Sequence, residues 1–153
     1  MEQRLRSIVK YEDAYKAASA IENYVNSNGL EHSLVLLVKM RASQINGCAY
    51  CLHMHSLDAR KEGETEARLY LLDAWRESNL YTPRERAALA WTEALTLVSK
   101  THVPDEVFNE VKRQFSEEEM VALSLAIGAI NTWNRISIGF RLQHPADKIQ
   151  KAA

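Results

Sequence analysis

The sequence contains little cysteine, proline or glycine: 2, 3 and 5 of these residues among 153. Two cysteines three positions apart exclude the class of small secreted domains that several disulfides hold together. Alternating apolar and polar strands joined by turn dipeptides are also missing, so the sequence does not predict a sheet. The few glycines and prolines instead fall at the ends of segments with helical periodicity.

Long apolar runs and an excess of one charge are missing as well. No apolar run reaches the roughly 18 residues that a membrane-spanning helix requires, and residues 1–10 lack the apolar centre of a secretory signal. We therefore expect the protein in the cytoplasm. Lys plus Arg (19) nearly balance Asp plus Glu (20), which gives a net charge of -1. This balance provides no electrostatic basis for binding nucleic acid or an anionic membrane.

The sequence does contain enough apolar residues for one compact core, since 46% are hydrophobic. We expect residues 1–153 to form a single all-α domain, a bundle of about seven helices. Two helices are predicted to begin with capping boxes, at Thr82 with Glu85 and at Ser116 with Glu119. The predicted helices are approximately 11–27, 31–46, 48–62, 64–76, 82–100, 104–115 and 116–141.

Both cysteines lie where one predicted helix ends and the next begins. If Gly47 ends the first helix, Cys48 lies at the N-terminus of the second, and Cys51 follows one turn later on the same face. Free N–H groups and the helix dipole favour a thiolate there. His55 comes four residues after Cys51, close enough to accept a thiol proton. The spacing therefore predicts a reactive dithiol with an adjacent base.

The cysteine pair has three other interpretations. Two unreactive buried cysteines are possible, but the spacing and the preceding glycine favour a redox role. A zinc site would have only three candidate ligands, Cys48, Cys51 and His55, whereas structural zinc usually takes four. Haem attachment requires His directly after the second Cys, and Leu52 occupies that position. His53 points elsewhere on the helix and is predicted to be a bystander.

The cysteine segment and three other segments resemble the AhpD-like alkyl hydroperoxidase group of the carboxymuconolactone decarboxylase family. The specific run is residues 40–51, MRASQINGCAYC, followed by His55. The resemblance covers most of residues 31–141 and continues through 84–90 (RERAALA), 93–96 (EALT) and 129–135 (AINTWNR).

The resemblance implies an AhpD-like helical fold, reversible oxidation of the cysteine pair and homo-oligomers such as trimers or hexamers. It also implies that a peroxide or another small oxidant is the substrate, that Cys51 attacks and that Cys48 resolves. The residues themselves leave the order open, because Cys48 has the better helix position and Cys51 the closer histidine. No cofactor beyond the disulfide is expected, and an external thiol donor of unknown identity must reduce it.

Two positions depart from the pattern of the characterised hydroperoxidases. Their proton-relay Glu, twelve residues before the first cysteine, is replaced by Leu36, and a His before the second cysteine is replaced by Tyr50. We hypothesise that Glu93 supplies the missing carboxylate and orients His55. The alternatives are a structural ion pair with Arg135 or Arg41, or simple exposure. Tyr50 is a further candidate, as a pocket wall or a packing residue, and Asn134 with Arg135 is expected to brace the site or a subunit interface.

The leading functional prediction is a thiol peroxidase that works through a Cys48–Cys51 disulfide with His55 as base. A disulfide reductase, redox adaptor or oxidant sensor would need the same dithiol and remains the alternative. A carboxymuconolactone-type decarboxylase is disfavoured, because family members with that activity do not depend on a Cys-x-x-Cys pair.

Overall fold

The computed structural model of the protein describes residues 2–5 and 7–146. Within these residues there are eight α-helices, two 3₁₀ turns and no strand. The helices are α1 (Glu12–Ser27), α2 (His32–Asn46), α3 (Ala49–Lys61), α4 (Glu66–Leu71), α5 (Pro83–Thr96), α6 (Val98–Thr101), α7 (Asp105–Gln114) and α8 (Glu117–Gly139). The 3₁₀ turns are Ile8–Lys10 and Leu72–Glu77. The all-α class is confirmed, and none of the helices described is long and apolar enough to span a membrane.

The count of helices differs from the prediction at one place. The helix expected over 82–100 is interrupted at Leu97, whose φ and ψ of -104° and 31° are not helical. The chain then makes the short α6, which ends at His102 in a left-handed conformation. Leu97 still donates its N–H to the Glu93 carbonyl, so the chain bends at this point without losing that backbone hydrogen bond.

The two predicted capping boxes are present. Thr82 accepts a hydrogen bond from the Glu85 N–H, while the Glu85 carboxylate accepts one from the Thr82 N–H. Ser116 and Glu119 make the same reciprocal pair at the start of α8. Each box satisfies two N–H groups that a helix start otherwise leaves unpaired.

Helix α2 lies at the centre of the fold and packs against α3, α5 and α8. Its residues 34–40 are all buried, which explains why this stretch is apolar around the helix rather than along one face. The only charged residue among them, Lys39, donates to the Glu22 carboxylate on α1. The C-terminal end of α2 and the start of α3 meet the second half of α8, and the two cysteines lie at this junction.

Candidate active site

A tight corner between α2 and α3 places the first cysteine. Gly47 ends α2 with φ of +67°, a conformation that a side chain disfavours. The Cys48 N–H then donates to the Ser43 carbonyl at 2.9 Å, and the Cys48 carbonyl accepts from Leu52 at 3.0 Å. Cys48 is therefore the N-cap residue of α3, as the sequence predicts, and its backbone is held at both ends.

Both cysteines are free thiols, and each is only 1% exposed. They form a small cluster with Ala42 of α2 and Ile130 of α8, and Tyr50 and Trp133 pack against it. Cys51 lies one turn into α3. The two sulfurs thus meet in a largely apolar enclosure, where hydrogen bonds and charges act more strongly than in water.

The two thiols have opposite electrostatic environments. Hydrogen bonding from the Cys51 thiol, assisted by the Cys51 backbone N–H, lowers the pKa of Cys48 to about 6. The same interaction with Cys48, together with burial, raises the pKa of the Cys51 thiol. The pair therefore favours a single shared negative charge, and Cys48 is the better placed of the two sulfurs to carry it.

Two polar residues of α8 lie next to the sulfurs. The Sγ atom of Cys51 lies 3.8 Å from the Oγ atom of Ser137. Asn134 is 1% exposed, and its amide, like the Ser137 hydroxyl, acts to lower the pKa of both thiols. The prediction that Asn134 braces the site agrees with this position. Ser137 was missed, although it lies one helical turn after Asn134 and so shares its face.

His55 continues the buried face of α3, which consists of Cys51, His55 and Ala59. Its side chain is 7% exposed, and its Nδ1 atom is buried without a hydrogen-bond partner. Burial, with a smaller contribution from the positive charge of Lys39, lowers the pKa of His55 to about 4. The imidazole is therefore neutral at physiological pH, and one of its two nitrogens is an open acceptor.

Glu93 does not orient His55 in this structure, so the relay hypothesis lacks its geometric basis. The Glu93 carboxylate accepts hydrogen bonds from Arg41 Nε at 2.9 Å, from Trp75 Nε1 at 2.8 Å and from Arg76. These donors lower its pKa despite its burial. Of the alternatives, the ion pair with Arg41 is the one present. Arg135 instead donates to the Asn131 carbonyl.

Tyr50 is both a packing residue and part of a pocket wall, the two positions predicted for it as alternatives. It packs against the cysteine cluster, and it also lines a cavity of about 200 Å³ on the outer side of α3. Met54 and Leu57 continue the cavity wall along the helix. His53 lines the same cavity and stacks on His144, with ring centroids 5.1 Å apart, rather than approaching the sulfurs. Over residues 2–5 and 7–146, no group of three His, Cys, Asp or Glu side chains is arranged to hold a metal.

Comparison with known proteins agrees with this architecture. Residues 12–94 match the carboxymuconolactone decarboxylase family. The protein YdfG of Bacillus subtilis is 44% identical over 138 residues, which are 90% of this chain and 94% of YdfG. A crystal structure from Agrobacterium tumefaciens, of a protein of unknown function linked to the antioxidant defence protein AhpD, is 49% identical. It superposes with a TM-score of 0.90 over 94% of this chain and 99% of that one.

A more distant structure shows the same fold. The debrominase Bmp8 is 24% identical and superposes with a TM-score of 0.76 over 90% of this chain and 74% of its own. The family match covers more than half of the chain, and the B. subtilis relative is matched over nearly its whole length. The chain is therefore an AhpD-like member of the carboxymuconolactone decarboxylase family.

Proposed function

We propose that the protein is a dithiol peroxidase that reduces hydroperoxides and forms a Cys48–Cys51 disulfide. The observation that carries this proposal is the reduced pair itself. Two free thiols lie one helical turn apart, the pKa of Cys48 is lowered to about 6, and the pKa of Cys51 is raised. A thiolate is the nucleophilic form of cysteine, so this arrangement supplies a nucleophile and a protonated partner together.

In the first step, the Cys48 thiolate attacks the peroxide O–O bond. The sulfur gains one oxygen and becomes a sulfenic acid, while the other oxygen leaves as an alkoxide or hydroxide and takes up a proton. Cys48 attacks in this scheme because it carries the charge at rest. This is the reverse of the order that the resemblance implies.

In the second step, the Cys51 sulfur attacks the Cys48 sulfenic acid, and water leaves as the disulfide forms. Cys51 must lose its proton here, and its raised pKa makes this step the one that requires a base. His55 is neutral and lies one turn beyond Cys51 on the buried face of α3. We assign His55 to this deprotonation rather than to the formation of the Cys48 thiolate.

An external dithiol then returns the protein to the reduced state by exchange, with no other cofactor. The cytoplasm, where such thiols are abundant, is the proposed compartment, and a trimer or hexamer is the proposed assembly. The burial of both sulfurs favours a small oxidant over a protein disulfide as the first reactant. This is the observation that ranks a peroxidase above a redox adaptor, which would use the same dithiol.

The test combines peroxide kinetics with trapping of the sulfenic acid. Reduced protein is mixed with hydrogen peroxide or cumene hydroperoxide in a stopped-flow instrument, and free thiols are counted before and after. We expect two thiols to disappear per peroxide in the parent. Cys51→Ser is expected to stop at a sulfenic acid on Cys48 that dimedone traps. Cys48→Ser, its matched control, is expected to react slowly and to trap little.

Each other result has a definite meaning. Dimedone bound to Cys51 in Cys48→Ser, at the parent rate, would show that Cys51 attacks first and would overturn our order. Slow oxidation by every peroxide, combined with rapid exchange of the Cys48–Cys51 disulfide with protein dithiols, would replace the peroxidase with a redox adaptor. An oxidised parent that lacks an intramolecular disulfide would contradict both functions.

A further inference from the structure

The polar contacts to the sulfurs come from one helix that carries no residue of the proposed chemistry. The Cys51 thiol donates to the hydroxyl oxygen of Ser137 on α8 at 3.8 Å. Asn134, one turn earlier on α8, acts through its amide to lower the pKa of both thiols. Both residues are buried, at 1% exposure for Asn134 and 6% for Ser137, so water does not compete for their donors.

The orientation of the Asn134 amide is fixed by residues of α2. Its Oδ1 atom accepts a hydrogen bond from Asn46 Nδ2 at 2.8 Å, and its Nδ2 atom donates to Ser43 Oγ at 3.0 Å. An amide nitrogen carries two hydrogens, so one remains for the sulfurs. Ser43 also anchors the Cys48 N–H through its carbonyl. The same short segment of α2 therefore positions both the thiol and the amide that faces it.

We propose that Asn134 and Ser137 are positioning residues that stabilise negative charge on the two sulfurs and thereby set the reduction potential of the dithiol. This inference deepens the proposed function, since it rests on reversible oxidation of the same pair. A hydroxyl accepts from a thiol but can rotate its hydrogen and donate to a thiolate, so Ser137 and the Asn134 amide stabilise the charged sulfur of the reduced state. The disulfide carries no charge, so they stabilise it less.

The consequence is a defined shift in the exchange equilibrium. In the reaction of the protein disulfide with two glutathione molecules, the products are the protein dithiol and glutathione disulfide. Donors that favour the thiolate pull this equilibrium toward the reduced protein, which makes the disulfide more oxidising. Removing them is expected to raise the pKa of Cys48 and to make the protein disulfide harder to reduce.

The experiment measures thiolate absorbance near 240 nm against pH, and the glutathione equilibrium at pH 8, in full-length protein. Asn134→Ala is expected to raise the Cys48 pKa by about one unit and to shift the equilibrium about tenfold, or about 30 mV. Ser137→Ala removes one hydroxyl and is expected to shift the glutathione equilibrium about threefold. Asn134→Asp keeps the shape but adds negative charge, so the largest rise in pKa is expected there.

A matched control separates charge stabilisation from packing. Thr96→Val removes the acceptor of Asn131 Nδ2 in the same polar region without touching a sulfur, so it should leave the pKa and the equilibrium unchanged. Equal shifts in Thr96→Val and Ser137→Ala would overturn the proposal, as would parent values in Ser137→Ala and Asn134→Asp. If Asn134→Ala fails to fold, those two variants still decide the outcome.

The outcomes also distinguish this inference from the function on which it rests. A parent that reduces peroxides while all three variants keep its pKa and equilibrium would leave the peroxidase standing and refute the positioning role. A parent that is inert to peroxide, but whose glutathione equilibrium shifts in the variants, would refute the peroxidase and leave the positioning role standing.

Discussion

Two titratable groups inside this protein, one half-buried and one buried, have opposite hydrogen-bond environments. Glu93 lies in what we call the Glu93 cluster, where Arg41, Trp75 and Arg76 all donate to its carboxylate. His55 lies one helical turn after Cys51 on the buried face of α3, and its buried Nδ1 atom has no partner. Both side chains are largely buried, yet one has every hydrogen bond it requires and the other has lost at least one.

The contrast separates a structural group from a reactive one. A carboxylate with three donors is held ionised and fixed, so it stabilises the packing of α2, α5 and the Leu72–Glu77 turn but is poorly available to take a proton. An imidazole kept neutral without a partner costs stability and retains an open acceptor. The predictions below test this division, beginning with the largest expected effect.

Replacing Glu93 should damage stability and not chemistry. Glu93→Ala leaves the Arg41 and Trp75 donors without this acceptor, although Arg41 keeps its pair with Asp73, and removing one partner of a largely buried ion pair costs about 3 kcal/mol. Urea unfolding measures this loss, and stopped-flow oxidation should give the parent rate. Glu66→Ala, which breaks the exposed Arg60–Glu66 pair, is the control and should change stability little. Slower disulfide formation in folded Glu93→Ala would restore Glu93 to the proton relay.

His55 should make the fold sensitive to acid. Its pKa is about 4 in the folded protein and about 6.5 in the unfolded chain, so between these values the unfolded state binds more protons. The free energy of unfolding therefore falls as the pH drops from 6.5 to 4, by about 3 kcal/mol from this group. His55→Leu should remove this part of the slope in urea titrations at several pH values. Identical slopes in parent and variant would mean that His55 is not buried as a neutral group.

The same substitution should slow disulfide formation by about 100-fold, a typical contribution of a positioned base. The formation of the Cys48 sulfenic acid should keep its rate, because the thiolate is already present at neutral pH. Rapid-quench trapping with dimedone separates the two steps. His53→Leu is the matched control on the same helix, since its ring stacks on His144 instead of the sulfurs. Equal loss of both steps in His55→Leu would show that His55 also forms the nucleophile.

The parts of the fold and site that could be predicted from the sequence are governed by local rules. The capping boxes at Thr82 and Ser116 and the helix end at Gly47 depend on residues within four positions of one another. The shared face of Cys51 and His55 follows from the same helical spacing.

The features that were missed depend on contacts distant in sequence. Glu93 receives Arg41 from 52 positions away, and Asn46 reaches Asn134 across 88. Nothing local to Glu93 distinguishes a carboxylate that binds an arginine from one that would bind His55. Only the packing of α2 against α5 and α8 decides this, and it also brings Ser137 to Cys51.

The smallest expected effect concerns the corner that places Cys48 between these networks. Gly47→Ala forces a side chain into φ of +67° and should cost about 1 kcal/mol, although no atom lies within 4 Å of the added carbon. Gly128→Ala is the matched control within helix α8, where space is also open, and should stabilise the protein by a few tenths to about 1 kcal/mol. Opposite signs in thermal unfolding would confirm that conformation, not volume, limits the corner.

Because Cys48 takes its helix-end position from this corner, Gly47→Ala should also raise the Cys48 pKa, measured by thiolate absorbance, while the Glu93 cluster keeps its contribution to stability. A change of the same sign at both glycines would show instead that the corner is not strained, and that the hydrogen bond from Cys48 N–H to Ser43 alone holds the thiol in place.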